Sequence, residues 1–407
     1  MNIDAFSRNI ILVFFGSAAV NFFNLLFQLL IAHRLSPADF AGFNSLVFLL
    51  TLASTPLATF QTVVAKYTAE FKSRGEEQKI NFLFVSLLKK NFLFAAVTFV
   101  IFYSTSFYIT DKLKIPSFSS GYILAVLLAL SWLIPVCVGV LQGLELFKWF
   151  NFVSVSTGGL KLIFAFIFIW FGFGISGALG ALLLANIVCL AVCGFILKGL
   201  IVLKTESEEI NFKEFYYYAF PVALSTFCYM LLVGYDLYQV RISFSPEQSG
   251  IYSLAQMVGK ILLFLPMAIS LVMLPRTSGL NAQNQDTRST LIRGLLYAAA
   301  LCAAAILTYN IFPEFILRVL TGKAFHGSVL LGRYFSVCMT FFALLLILIT
   351  YFISIKDLRF IKYLVFFTLL QVLAIVFFHN TLIQVQLIMC VNSVVLFFIL
   401  LAQALKK

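Results

Sequence analysis

Apolar stretches of about twenty residues follow one another from Asn9 to the C-terminus, each long enough to cross a hydrocarbon core of roughly 30 Å at 1.5 Å per helical residue. In such a core the backbone has no water to pair with, so a chain of this kind is restricted to helices that satisfy their own N–H and C=O groups. Composition agrees with that restriction. Of 407 residues, 62% are hydrophobic and 11% charged, whereas a soluble domain needs about one-quarter charged residues to solvate its surface. The run from Asn9 to Ala32 is too long for the apolar region of a cleaved signal and lacks a convincing cleavage site, so it reads as a retained first helix.

Spans are expected at about 9–33, 42–65, 91–109, 121–144, 153–171, 176–198, 215–240, 249–274, 291–312, 329–353, 361–378 and 382–404. These predict an all-α integral membrane protein with about twelve transmembrane helices. With a cytoplasmic N-terminus, roughly nineteen lysines and arginines fall on the inner side and about seven on the outer, and reversing the topology inverts that bias. Both termini are therefore placed in the cytoplasm, with the chain multi-pass in the cell membrane. The net charge of +12 is spread between apolar runs instead of forming one basic patch on a soluble module, which argues against nucleic acid as a partner. The seven cysteines form no CxxC and no Cys/His cluster, and no metal or other cofactor is expected.

A weak internal repeat divides the chain. Arg34-Leu35-Ser36-Pro37 leads into Gly42-Phe43-Asn44-Ser45-Leu46, and Arg241-Ile242-Ser243 with Ser245-Pro246 leads into Gly250-Ile251-Tyr252-Ser253-Leu254. Both segments join a first helix to a second, and each second helix carries a proline, Pro56 or Pro266. The acidic stretch Glu206-Ser207-Glu208-Glu209 falls in a linker at about 200–214. Two six-helix lobes, 1–205 and 206–407, follow; because each has an even number of spans, the repeats share one orientation and are expected to be related by an axis along the membrane normal.

Three groups of residues resemble the polysaccharide flippases of the multidrug/oligosaccharidyl-lipid/polysaccharide (MOP) exporter superfamily, over nearly the whole chain. The first is Ala32 and Arg34-Leu35-Ser36-Pro37-Ala38-Asp39-Phe40-Ala41-Gly42, with Lys66-Tyr67-Thr68-Ala69-Glu70. The second is Leu141-Gln142-Gly143-Leu144-Glu145-Leu146-Phe147, then Lys161-Leu162 and Gly172-Phe173-Gly174-Ile175-Ser176-Gly177-Ala178. The third is Pro221, Asp236, Ser245-Pro246, Gly250-Ile251-Tyr252-Ser253, Gly259-Lys260, Pro266 and Leu274-Pro275-Arg276. The chain stops near twelve spans where relatives often have fourteen. The resemblance implies a MOP/MATE-like fold and a flippase that carries a polyprenyl (pyro)phosphate-linked oligosaccharide from the cytoplasmic to the outer leaflet by rocking its lobes. It also implies coupling to H+, Na+ or the membrane potential and a polysaccharide polymerase complex as partner.

Ionisable groups at membrane depth cost about 2.5–3.5 kcal/mol or more, which makes each a candidate for function. Lys161 and Lys260 lie nearest the midplane and are the expected contacts for a cargo anion. Asp236 pairs with Lys260 or carries a coupling proton on one reading, and pairs with Arg241 at the interface on the other. Arg34 and Arg241 flank spans on the outer side and are candidates for the cavity mouth. Pro56, Pro221 and Pro266, with Pro135, fall within spans, where proline removes a hydrogen bond and can bend a helix. A multidrug or organic-cation antiporter of the same fold is the alternative, and it would favour buried carboxylates over lysines. An enzyme acting on sugars needs paired carboxylates or an acidic metal motif at a water-accessible site. The sequence has no Asp-x-Asp, its histidines are scattered, and it has no large outer loop.

Overall fold

The computed structural model describes residues 5–200, 212–283 and 285–406. The expected linker at 200–214, with its acidic stretch, lies almost entirely outside them. The described residues form thirteen α-helices: α1 (Ala5–Arg34), α2 (Pro37–Ser73), α3 (Glu77–Lys112), α4 (Ser119–Gly143), α5 (Phe147–Trp170), α6 (Gly174–Ile196), α7 (Phe212–Ser243), α8 (Pro246–Ala282), α9 (Arg288–Ile311), α10 (Pro313–Thr321), α11 (His326–Ser354), α12 (Phe360–Phe377) and α13 (Leu382–Leu405). Eleven are long and apolar enough to cross a membrane over their described residues; α8, 37 residues long like α2, is the twelfth long helix. The chain is all-α and multi-pass.

Two features depart from the expected layout, each for a local reason. The polar stretch 66–90, which falls between the expected spans 42–65 and 91–109, is almost wholly helical, because α2 runs to Ser73 and α3 begins at Glu77. Hydropathy reports where a helix meets lipid, whereas its hydrogen bonds let it continue into water. The reversal needs only Arg74-Gly75-Glu76, with Gly75 in the left-handed region (φ 72) and Glu76 N bonded back to Phe71 O at 3.0 Å, a Schellman ending that favours glycine. The second departure is the short α10. Pro313 supplies no N–H and disfavours helical geometry in the residue before it, and Phe312 accordingly leaves the helix at φ −125, ψ 53.

The repeat is clearer in the helices than in the sequence. Pro37 opens α2 and Pro246 opens α8, at the same interval of 209 positions that separates Asn44 from Ser253. That interval also carries the last residue of α1 onto the last of α7, α3 onto α10, and α6 onto α13. On this register the unbroken α3 corresponds to α9 and α10 together, so the extra helix, α10, comes from an interrupted copy of the third.

The chain separates into two compact units, residues 1–35 with 49–223 and residues 36–48 with 224–407. The expected lobes ended instead at the linker. The opening turns of α2 thus belong with the second unit, and the first turns of α7 with the first. In the first unit α3 packs on α4, α4 on α6, α6 on α5, and α5 on α1. Gly139 of α4 has Gln61 O of α2 only 2.8 Å from where a Cβ would stand, the close helix approach that small residues permit in membranes. In the second unit α11 is central, packed on α8, α9 and α13, and 67% of its apolar window is buried.

Candidate functional site

Among the described residues each unit holds a charged cluster within its apolar helices. In the second, α7 presents Asp236 and α8 presents Tyr252, Gln256 and Lys260, which recur every fourth residue and so share one face of the helix. Asp236 is wholly buried, as are Tyr252 and Gln256 to within 1%. Tyr252 Oη donates to Asp236 Oδ2 at 2.9 Å, and Gln256 Nε2 donates to both carboxylate oxygens at 2.9 and 2.8 Å. Lys260, one turn further along α8, is near enough to attract the carboxylate. A buried charge is tolerated only when hydrogen bonds and an opposite charge replace its lost water, and this carboxylate has both.

Arg241 has partners of its own. Its guanidinium is 1% exposed and donates to Ser249 Oγ at 2.9 Å, with Asp39 and Glu247 attracting it from the starts of α2 and α8. Asp39 is itself held by Ser36 Oγ at 2.7 Å. The arginine therefore ties the end of α7 to the openings of α2 and α8 inside the second unit. Of the two partners considered for Asp236, Lys260 is the one that attracts it.

In the first unit Lys161 lies on α5, roughly 14 Å from its Trp170 end by helical rise. Its Nζ donates to Asn24 Oδ1 of α1 and stands 5.0 Å from the centroid of the Phe27 ring, an attractive cation–π distance. Gly158, one turn earlier, lets α5 meet Phe23 of α1, whose Cβ would lie 3.2 Å from an added methyl. The same α1/α5 seam opens beyond Lys161 into an apolar cavity of about 660 Å³ lined by Leu26, Leu30, Ile163 and Phe166, among others. Arg34 and Trp170 line a smaller cavity of about 30 Å³ at the end of that seam. Lys161 and Arg34 are thus placed along one seam, while Lys260, Asp236 and Arg241 belong to the other unit.

Pro56, Pro135 and Pro221 all lie inside continuous helices. Pro221 stands two residues before α7 passes from one unit to the other at Ala223. Pro266 lies within α8, but its side chain is outside the described residues. Among the described residues no three His, Cys, Asp or Glu side chains converge to hold a metal ion.

Gln256, Asn24 and Phe27 were not singled out in the sequence, and Tyr252 was noted only as part of the repeat and of the family resemblance, without a role in the site. The four-residue spacing of Tyr252, Gln256 and Lys260 was a usable signal. Nothing marked Asn24 or Phe27, because the partner of Lys161 lies 137 positions away.

No protein-family model matches the chain, and no curated protein does. Solved structures do. A multidrug-resistance MATE-family transporter of the MOP superfamily in an inward-facing conformation superposes with a TM-score of 0.78 at 14% identity, over 95% of this chain and 94% of that one. The lipid II flippase MurJ in an inward closed conformation gives 0.73 at 14% identity, over 98% and 87%. A MOP-superfamily transporter from Pyrococcus furiosus, described as having a binding pocket of reverse polarity that suggests a different function, gives 0.59 at 16% identity, over 98% and 95%. This chain has the fold of the MOP-superfamily transporters.

Proposed function

We propose that this protein is a flippase that moves an oligosaccharide on polyprenyl phosphate or pyrophosphate from the cytoplasmic to the outer leaflet of the cell membrane, by alternating access, for surface polysaccharide assembly. The observation that carries the reading is the pairing of Lys161. Its partners are a neutral amide and an aromatic ring, so its positive charge is left for an anion. At about 4 Å and an effective dielectric constant near 20, a phosphate beside it gains about 4 kcal/mol. Arg34 continues the positive seam about 15 Å along α1, and the intervening apolar cavity suits a cargo that is part lipid. A lipid II flippase shares the fold, and so does a transporter whose binding pocket is described as of reverse polarity, suggesting a different function.

Coupling to H+, Na+ or the membrane potential belongs to this reading. So do bending at Pro56, Pro221 and Pro266, cytoplasmic termini, and a polymerase complex that receives the cargo. The test is lipid-linked oligosaccharide flipping in proteoliposomes. Lys161→Ala and Lys161→Gln are expected to lose most of the rate while the protein still inserts, and Lys161→Arg to keep more of it than Gln. Gln working as well as Lys would sink the reading.

One observation favours the alternative, export of organic cations: Asp236 is a deep carboxylate. Its oxygens already accept from Tyr252 and Gln256, and Lys260 opposes a second cation there. Efflux of an organic cation that is abolished by Asp236→Asn and indifferent to Lys161→Gln would establish this alternative instead.

A further inference from the structure

The first unit carries a second open groove, away from the α1/α5 seam. It lies among α3, α4 and α6, has a volume of about 450 Å³, and is walled by Leu88, Phe92, Leu133, Leu190 and Gly194, with Lys89 on its edge. All but the lysine are apolar. The groove opens on an exposed face, for only 11% of the apolar window of α3 is buried, and Phe92, Leu93 and Phe94 are 67%, 64% and 50% exposed. In a membrane such a face meets acyl chains.

Two lysines give the groove a sign. Lys89 is exposed and forms no ion pair with a described residue. Because Cα–Cβ bonds tilt toward a helix's N-terminus, its side chain leans toward the end of α3 that carries Lys79 and adjoins Lys72 and Arg74 of α2. Lys198 follows Gly194 by one turn, in the short 3-10 segment after α6 that packs on α3. Its ammonium stands 4.8 Å from the centroid of the exposed Phe195 ring. The groove thus combines apolar walls with one lysine in its lining and a second one turn beyond Gly194, the profile of a site for a lipid whose headgroup is negative. A zwitterionic lipid would fill the walls equally well and gain nothing from the lysines.

We infer that the α3/α4/α6 groove is a binding site for an anionic phospholipid, with its phosphate at Lys89 and Lys198 and the start of an acyl chain along Phe92, Leu133 and Leu190. The site is separate from the seam assigned to cargo, so the two assignments can fail independently. A juxtamembrane lysine contributes about 1 kcal/mol toward an anionic surface, which is about fivefold in affinity. Gly194 offers a way to block the walls alone, since a Cβ there meets nothing within 4 Å and a larger side chain would project into the groove without displacing protein.

The test uses the purified full-length protein, delipidated in detergent and titrated with dioleoylphosphatidylglycerol or dioleoylphosphatidylcholine, with bound lipid counted by native mass spectrometry. The wild type should prefer phosphatidylglycerol, Lys89→Gln and Lys198→Gln should each reduce that preference about fivefold, and Gly194→Leu should weaken both lipids alike. Lys161→Gln should leave the preference unchanged. Equal retention of the two lipids by the wild type would overturn the site, as would a Lys89→Gln/Lys198→Gln double variant that keeps the wild-type preference. Both lysines are on the surface, so the outcome does not depend on whether Gly194→Leu folds.

Discussion

The two units are built from the same sequence of helices and place opposite chemistry at matching points. Asp236 on α7 and Phe27 on α1 are separated by the repeat interval. Asp236 is enclosed by Tyr252 and Gln256 and attracted by Lys260, whereas Phe27 is the ring beneath the Lys161 ammonium. One unit thus internalises a carboxylate and satisfies it, and the other holds a lysine between neutral groups. The helical scaffold tolerates either solution, because in both cases packing of the first helix on its neighbour supplies the missing partners. What differs is the charge left over, and the proposed function rests on that difference.

The contrast is most easily broken at Asp236. Asp236→Ala leaves the Tyr252 and Gln256 donors buried without an acceptor, and a loss of about 3 kcal/mol is expected, read as a lower midpoint in thermal unfolding of the detergent-solubilised protein. Asp236→Asn should lose less, since an amide oxygen still accepts. An unchanged midpoint for Ala would mean that the network contributes nothing.

Gly250 of α8 probes whether the opening of α2 is an integral part of the second unit. The carbonyl carbon of Pro37 lies 2.7 Å from the position of an added Cβ, so Gly250→Val must push α2 away and is expected to cost about 2 kcal/mol by overpacking. Gly194→Leu, into open space, is the control that should melt like the wild type.

Transplanting the carboxylate sharpens the comparison. Phe27→Asp places an acid beside Lys161, and should melt higher than Phe27→Asn by about 1 kcal/mol, while transport falls because the lysine is neutralised. Transport by Phe27→Asp at the wild-type rate would separate the lysine's charge from function. The smallest effect is expected where the repeat meets itself, at the 3.2 Å hydrogen bond from Asn44 to Ser253. Asn44→Ala should cost about 0.6 kcal/mol, the average for such bonds in membrane helices, in the same unfolding measurement.

The apolar runs, their number and the interval between Ser36-Pro37 and Ser245-Pro246 were enough to establish an all-helical, multi-pass chain with an internal repeat. Lipid imposes those features on any sequence that enters it, since each span must satisfy its own backbone, and so they are written locally. The positions of Lys161, Lys260 and Asp236 within apolar helices could be read the same way. The partners of those charges could not. Whether Arg241 served Asp236 or bound elsewhere depended on how α7 lies against α8, and Lys161 meets Asn24 only because Gly158 lets α5 close on α1. The sharing of α2 between units was equally hidden, for a continuous helix gives no local sign of which neighbours it touches first. Sequence by itself determined where the apolar spans run and which charges fall within them. Only the tertiary structure decided which of those charges are cancelled, because side-chain pairing depends on contacts between residues far apart in the chain, where hydropathy carries no information.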